Sequence, residues 1–348
     1  FDGYFYTFKD MITGLEYIRP GRDFDDEGYN ITLNGYGYHV FVGFKEIFDI
    51  DGSYSRLNSF LHGQGTQSLS ITLLELNLIN VHHAVMEFLS KDILLELKKY
   101  AGLEADPQPD GEFSTTFAMR FGNILNHVSD YKKVNINNNT VMSALKKDLM
   151  TLKSYSNFIT QLETGVKGPS RLDNYWLLTQ KENRQVYSDI LVLYTTVKRI
   201  LITVEEQTGE KPIELYDSLL LEKALWQSLI RLGDKYHEAK YEFDLLRILE
   251  STENVYTRKG VFNPDGKIET LDDPLPTITL LGRKEVQSFI GVNDYHGIKY
   301  FSKEQFVQLM IWVYTLNGLR HAERTVRKNP DKAKDAVSAF KLFKTKEF

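Results

Sequence analysis

Apolar and polar positions alternate in short runs over the first fifty residues. "GYFYTF" (3–8), "GLEYIR" (14–19), "YNITL" (29–33) and "YHVFVGF" (38–44) are rich in Tyr, Phe, Ile and Val. Gly, Asp, Asn and Pro clusters separate them, which predicts four β-strands. In the fourth run Tyr38, Val40 and Val42 fall on one side, and His39, Phe41 and Gly43 on the other. Apolar groups lie on both sides, so cover is expected on both. Four short strands cannot bury two faces by themselves. The segment therefore reads as the end of a larger β domain.

From about Asp51 the period becomes helical. Ile71, Leu74, Leu78, Val81, Val85 and Phe88 form one stripe, and Phe117, Phe121, Leu125 and Val128 another. "ADPQPDGE" (105–112) is a loop by its Pro and Gly content. Asn139 or Thr140 is expected to cap a helix carrying Val141, Leu145, Leu149, Leu152, Ile159 and Leu162. The segment 184–205 has the widest stripe, so its helix should lie deep among neighbours. One helix is expected to bring Leu215, Leu219, Leu225, Leu229 and Leu232 inward, and "KYHEAKYEFDLLRILES" makes another. "FNPDGKIE" predicts a hairpin, and Ser302 with Gln305 predicts a capping box.

The expected fold is mainly α: an antiparallel helical bundle preceded by a small antiparallel β segment, the end of a β-sandwich-like domain. The order is a β segment (1–50), a helical bundle (51–250), an irregular loop or hairpin insertion (251–281), and C-terminal helices (282–348) packing on the bundle.

Composition narrows the function classes. The 348 residues carry a net charge of −5, and the basic runs are short, which argues against a nucleic-acid partner. "RTVRKNPDKAK" reads as the solvated face of a terminal helix. There is no cysteine, which excludes disulfides and thiolate metal sites. No apolar run is expected to reach the roughly 18 residues that span a membrane. No leader is visible, and the opening "FDGYFYTFKD" suggests that a segment precedes it. Aromatic residues make up 13% of the chain, enough to fill a core and leave rings over for sugar or a partner.

Few residues suggest chemistry. His83 and Glu87 share a helix face at metal-ligand spacing with His82 beside them, but the plainer reading is a surface pair. "GYGYH" leads into a strand, unlike a dinucleotide loop. Asn293, Asp294, Tyr295 and His296 crowd a turn between helices; they are either a plain linker or a small binding site with the tyrosine as platform. Among Trp176, Trp226 and Trp312, Trp176 is the stacking candidate, because Trp312 sits within the helical stripe of Phe306, Leu309, Val313 and Leu316. The candidate substrate-binding residues are thus Trp176, Asn293, Asp294, Tyr295 and His296. No catalytic residue, metal ligand or cofactor is assigned.

Three segments carry a family resemblance: Tyr-Thr-Phe-x-Asp at Tyr6 to Asp10, Gly-Leu-Glu-Tyr-Ile-Arg at Gly14 to Arg19, and Tyr-His-Val-Phe-x-x-Phe-x-Glu at Tyr38 to Glu46. In this order they resemble the stretch after the catalytic barrel in large bacterial α-amylase-superfamily proteins. "SLSITLLELNLINVHHAVMEF" and "LLGRKEVQSFIGVNDYHGIKYFSKEQFVQLMIWV" are similar to later helical segments of those proteins. The resemblance covers roughly residues 4 to 90 and 280 to 314; residues 100 to 279 match nothing.

The resemblance implies a parent that acts on α-glucans through an aspartate nucleophile and a glutamate acid/base in an upstream barrel. Neither group belongs to this chain. Arg171 and Asp173 have the spacing of the family's Arg-x-nucleophile. However, Gly168 is one position too far away and no apolar strand leads in, so Ser170 or Asp173 reads as a helix cap. The implied partners are the barrel and an α-glucan or maltooligosaccharide, in a bacterial cytoplasm or periplasm, with no nucleic acid and no membrane. The implied role is a noncatalytic accessory region. The alternatives are an independent helical interaction or scaffold protein, and a metal-dependent hydrolase using His82, His83 and Glu87.

Overall fold

A computed structural model describes residues 3–24, 28–33, 35–104, 112–165, 176–233, 235–251 and 279–328. The chain is mainly α, with a small antiparallel sheet ahead of the helices. It divides into two compact units, Phe1–Asn80 and Val81–Phe348. The first unit thus runs past the β segment expected from sequence and takes in the first helices.

In the first unit, β1 (Tyr4–Asp10), β2 (Glu16–Pro20) and β3 (Phe41–Phe48) form an antiparallel sheet in the order β2-β1-β3. The expected strand at 29–33 is irregular chain, and the fourth begins at Phe41 instead of Tyr38. Tyr29 explains the first difference: its hydroxyl accepts a bond from Arg19 Nε at 2.8 Å and its ring stacks on Phe24, so it covers the sheet instead of extending it. The register of β1 against β3 shifts between Thr7 and Lys9, where Gly43 adopts φ +70°. A glycine takes this left-handed conformation without steric cost, so the extra residue bulges from β3.

The register sorts side chains onto two faces. Phe5, Thr7 and Lys9 of β1 share a face with Ile18 of β2 and with Val42, Lys45 and Ile47 of β3. On this face Phe5 and Ile18 pack with Leu57 and Leu61 of α1 (Ser53–Leu61) and Leu69 of α2 (Leu69–Phe88). The opposite face is aromatic. Phe8 is buried there, with rings of Tyr17, Phe24, Tyr29, Phe41 and Phe44 about it at 4.9 to 6.2 Å. Glu16 reaches from β2 to accept the Leu69 N–H at 2.8 Å, which caps α2 from a distant strand.

Only part of the α2 stripe is buried. Leu78, Val81, Val85 and Phe88 are inside, whereas Ile71 is exposed and Leu74 half-buried. The expectation that no stretch is long and apolar enough to cross a membrane is corrected here. The 20 residues of α2 reach a mean hydropathy of 1.2 over an 18-residue window, of which 39% is buried. Glu75, Asn77, Asn80, His82, His83 and Glu87 interrupt the run, and the Leu, Ile and Val residues between them keep the average at that value. Such a value is also common in core helices.

The second unit is a helical bundle. After α2 come α3 (Lys91–Tyr100), α4 (Thr115–Lys132), α5 (Asn138–Thr164), α6 (Arg184–Thr208), α7 (Pro212–Ser218), α8 (Leu221–Leu232) and α9 (Tyr236–Ser251). Then follow α10 (Lys284–Phe289), a hairpin of β4 (Asn293–Tyr295) and β5 (Ile298–Tyr300), and α11 (Lys303–Lys328). α6 lies deep, as its stripe predicts, and packs against α3, α5, α7 and α9. Asn137, not Asn139 or Thr140, caps α5 by accepting the Thr140 N–H at 3.1 Å. The single helix expected over 215–232 is two, because Leu220 turns left-handed at φ 45° between α7 and α8. Ser302 accepts the Gln305 N–H at 3.3 Å, but its own N–H bonds the Ile290 carbonyl at 2.8 Å, so only half of the expected capping box forms. Most of the 251–281 segment, with its expected hairpin, lies outside the described residues, as do residues 329–348.

The bundle core centres on aromatic and leucine side chains. Phe121 is fully buried, with Phe88 at 5.6 Å and Phe117 at 5.7 Å. Phe121→Ala is expected to destabilise the bundle by about 3–5 kcal/mol, from lost transfer energy and the cavity left behind. Denaturant unfolding followed by far-ultraviolet dichroism measures this.

Candidate functional site

The sheet unit leaves an open groove on its helix-bearing face. Thr7, Lys9, Val42 and Lys45 form its floor, and Leu73 and Leu74 of α2 its wall. Its volume is about 730 Å³. The helices therefore cover this face only in part. β3 is also the outer strand of the sheet, pairing with β1 alone among the described residues. Val42, Phe44 and Phe48 are 39%, 52% and 55% exposed along it. The groove, the bare edge and these side chains form one continuous feature around β3.

Asp10 positions that feature. Its side chain has no exposed surface, yet four donors reach it. The Ile12 N–H and Val40 N–H meet Oδ1 at 3.0 and 3.3 Å, and the Thr13 hydroxyl and His39 Nδ1 meet Oδ2 at 2.8 and 2.7 Å. These bonds close the β1–β2 turn and fasten the chain that leads into β3. Tyr6 adds a second tie, donating to Glu46 of β3 at 2.5 Å.

The groove chemistry is simple. Its floor presents two ammonium groups, Lys9 and Lys45, and neither has an ion-pair partner among the described residues. Glu16 is the carboxylate in the lining, and it is engaged in capping α2. A retaining glycosidase needs two carboxyl groups about 5 Å apart, and this lining does not supply them. Two cavities inside the bundle measure about 20 and 30 Å³, room for roughly one or two waters each.

The residues singled out from sequence lie elsewhere. Trp176 is fully buried, with the rings of Tyr155, Phe158 and Tyr314 at 5.5, 5.3 and 4.8 Å. It is a core residue with no face open to a sugar, which corrects its reading as a stacking platform. A tryptophan after Tyr175 at an expected helix start gives no sign in the sequence of which way it points, and here the core claims it.

Asn293, Asp294, Tyr295 and His296 do come together, on the β4–β5 hairpin instead of a plain turn. His296 and Gly297 both have positive φ, 53° and 77°, as a two-residue type I′ turn requires. Asp294 Oδ1 accepts the Gly297 N–H at 3.0 Å, and Asn293 Nδ2 donates to the Gly291 carbonyl at 3.3 Å. Their polar groups thus hold the hairpin itself. Tyr295 and His296 meet edge to face at 4.3 Å, and Tyr295 is 66% exposed. All four residues are exposed on the hairpin.

His82 is buried, and its Nε2 donates to the Leu219 carbonyl at 2.9 Å. His83 and Glu87 are exposed. Among the described residues no group of three His, Asp or Glu side chains is arranged to hold a metal. Ser170, Arg171 and Asp173 lie outside the described residues. Sequence reasoning found the two-faced character of the strand at 38–44 but missed the groove. The exposed start of the α2 stripe was its sign, and periodicity does not report exposure.

No family model, curated protein or solved structure matches the chain.

Asp10 gives the unit a pH dependence. Burial alone would raise its carboxyl, but the bonds from Ile12, His39, Thr13 and Val40 outweigh burial and hold it well below the usual carboxylate range. With the folded value below the unfolded value of about 3.9, the stabilisation is fully present above about pH 4. It is lost as pH falls through the folded value. Asp10→Asn is expected to lower stability at neutral pH, because its amide N–H₂ would face donors. It should also flatten the loss below about pH 4. Urea unfolding of the full chain and the variant across pH 2–7 measures both effects.

Proposed function

We propose that the chain is the noncatalytic accessory region of an α-amylase-like glycosidase, docking through its sheet unit and leaving hydrolysis to a catalytic barrel. One observation carries this reading: the apolar side chains Val42, Phe44 and Phe48 stand exposed beside an open groove. A surface of this kind is characteristic of an interface. The three segments that carry the family resemblance build this unit. Their polar residues bind within it: Asp10 to His39, Tyr6 to Glu46, Glu16 to the start of α2, and Arg19 to the Gly63 carbonyl. They act as connectors of the docking unit and leave no catalytic carboxylate in the groove. The alternative, a self-contained helical scaffold, would close the apolar flank of its front strands, and these strands are open.

Two measurements test the proposal. The purified chain is expected to release no reducing ends from soluble starch or maltooligosaccharides, and measurable amylolysis overturns the assignment. The gene is expected to encode, ahead of Phe1, a barrel carrying an aspartate nucleophile and a glutamate acid/base. A gene without one overturns it too.

A further inference from the structure

The edge of β3 specifies what can dock there. Asp49 N–H bonds the Gly3 carbonyl at 2.8 Å, next to the Tyr4–Phe48 and Phe5–Ile47 pairs. In an antiparallel ladder, hydrogen-bonded and non-bonded positions alternate. Lys45 and Ile47 therefore spend their backbone groups on β1, while Glu46 and Phe48 direct theirs outward from the sheet. Outward backbone groups on an edge strand are a template for another strand.

We propose that β3 accepts an added β-strand from a polypeptide partner. The added strand is apolar on both sides and carries a carboxylate on its groove side. Three features need an occupant: the outward N–H and C=O groups of Glu46 and Phe48, the exposed Phe44 and Phe48 rings on the aromatic face, and the Val42, Ile47 and Lys45 side of the groove. A helix lying in the groove would meet only the last. An added strand meets all three, because its alternate side chains reach both faces. The charge on the occupant follows from Lys9 and Lys45. Both stand on the groove face without an ion-pair partner among the described residues; Glu16 stands opposite Lys9 in the β1–β2 register and keeps its charge while it caps α2, so Lys45 is the cation that the lining leaves unanswered. An acidic side chain facing Lys45 completes the surface. The inference stands on the sheet's geometry and holds with or without the glycosidase reading.

The probe is the synthetic peptide acetyl-Val-Val-Glu-Phe-Val-Val-Thr-amide, about one strand in length and apolar on both sides with its glutamate on one of them, added to the full chain. Hydrogen exchange read residue by residue is expected to slow roughly tenfold at Glu46 and Phe48 when bound. Lys45 and Ile47 should change little. The same peptide N-methylated at every backbone amide should not bind, since it lacks donors on both edges. Lys45→Glu, with its fold checked by dichroism, should weaken binding roughly fivefold.

Unchanged exchange at Glu46 and Phe48 under saturating peptide overturns the proposal, as does equal binding of the fully N-methylated peptide. Groove side chains shifting without amide protection would indicate a helical occupant and also overturn it. Protection that grows with protein concentration in the absence of peptide would make a second copy the occupant, against the proposal.

Discussion

A carboxylate with no exposed surface must have its charge answered inside the protein, and Asp10 has four donors to answer it. Those donors come from two places in the chain, the β1–β2 turn and the approach to β3. Satisfying one side chain therefore fixes the path of both. The β1–β2 hairpin closes tightly, and β3 enters beside β1. Tyr29, between β2 and β3, lies over the aromatic face. The position of β3, and so of everything that faces outward from it, descends from this bonding.

The two faces of the sheet then meet different fates. The aromatic face gathers rings around Phe8, which hides that residue but leaves Phe44 and Phe48 open toward the β3 side. The other face receives α1 and the start of α2, held by the bond from Glu16 to the Leu69 N–H. These helices sit over Phe5 and Ile18 and stop short of Val42 and Lys45. A groove results because three strands present more face than one and a half helices cover. The same shortfall explains why Leu74, in the groove wall, is only half-buried although it belongs to the apolar stripe of α2.

The helical unit follows a different logic. α6 is surrounded by partners, and its buried polar contacts are answered: Lys98 by Glu104 and Asp189, Arg199 by Asp148. Two cavities among its described residues are of water size. The β4–β5 hairpin is its projecting element, with Tyr295, Ile298 and Tyr300 on one side and Asp294 and Lys299 on the other. The residues that looked most like a site in the sequence are therefore the ones that build this projection.

Periodicity alone determined the helical character of the chain, the buried stripes of α4, α5 and α6, and the presence of strands at the front, because burial of one face imposes a repeat on the residues that make it. The two-sided apolar character of the strand around Val40 and Phe41 was legible for the same reason. Tertiary structure alone decided that residues 29–33 are not a strand, that Leu220 splits a helix, that Trp176 is core, and that the apolar stripe of α2 is buried only from Leu78 onward. Each depends on which distant group arrives: Arg19 at Tyr29, the rings of Tyr155 and Tyr314 at Trp176, the edge of the sheet at Leu74. A repeat records that a residue has an inward side. It does not record whether the rest of the protein extends far enough to cover it, and the groove beside β3 lies where it does not.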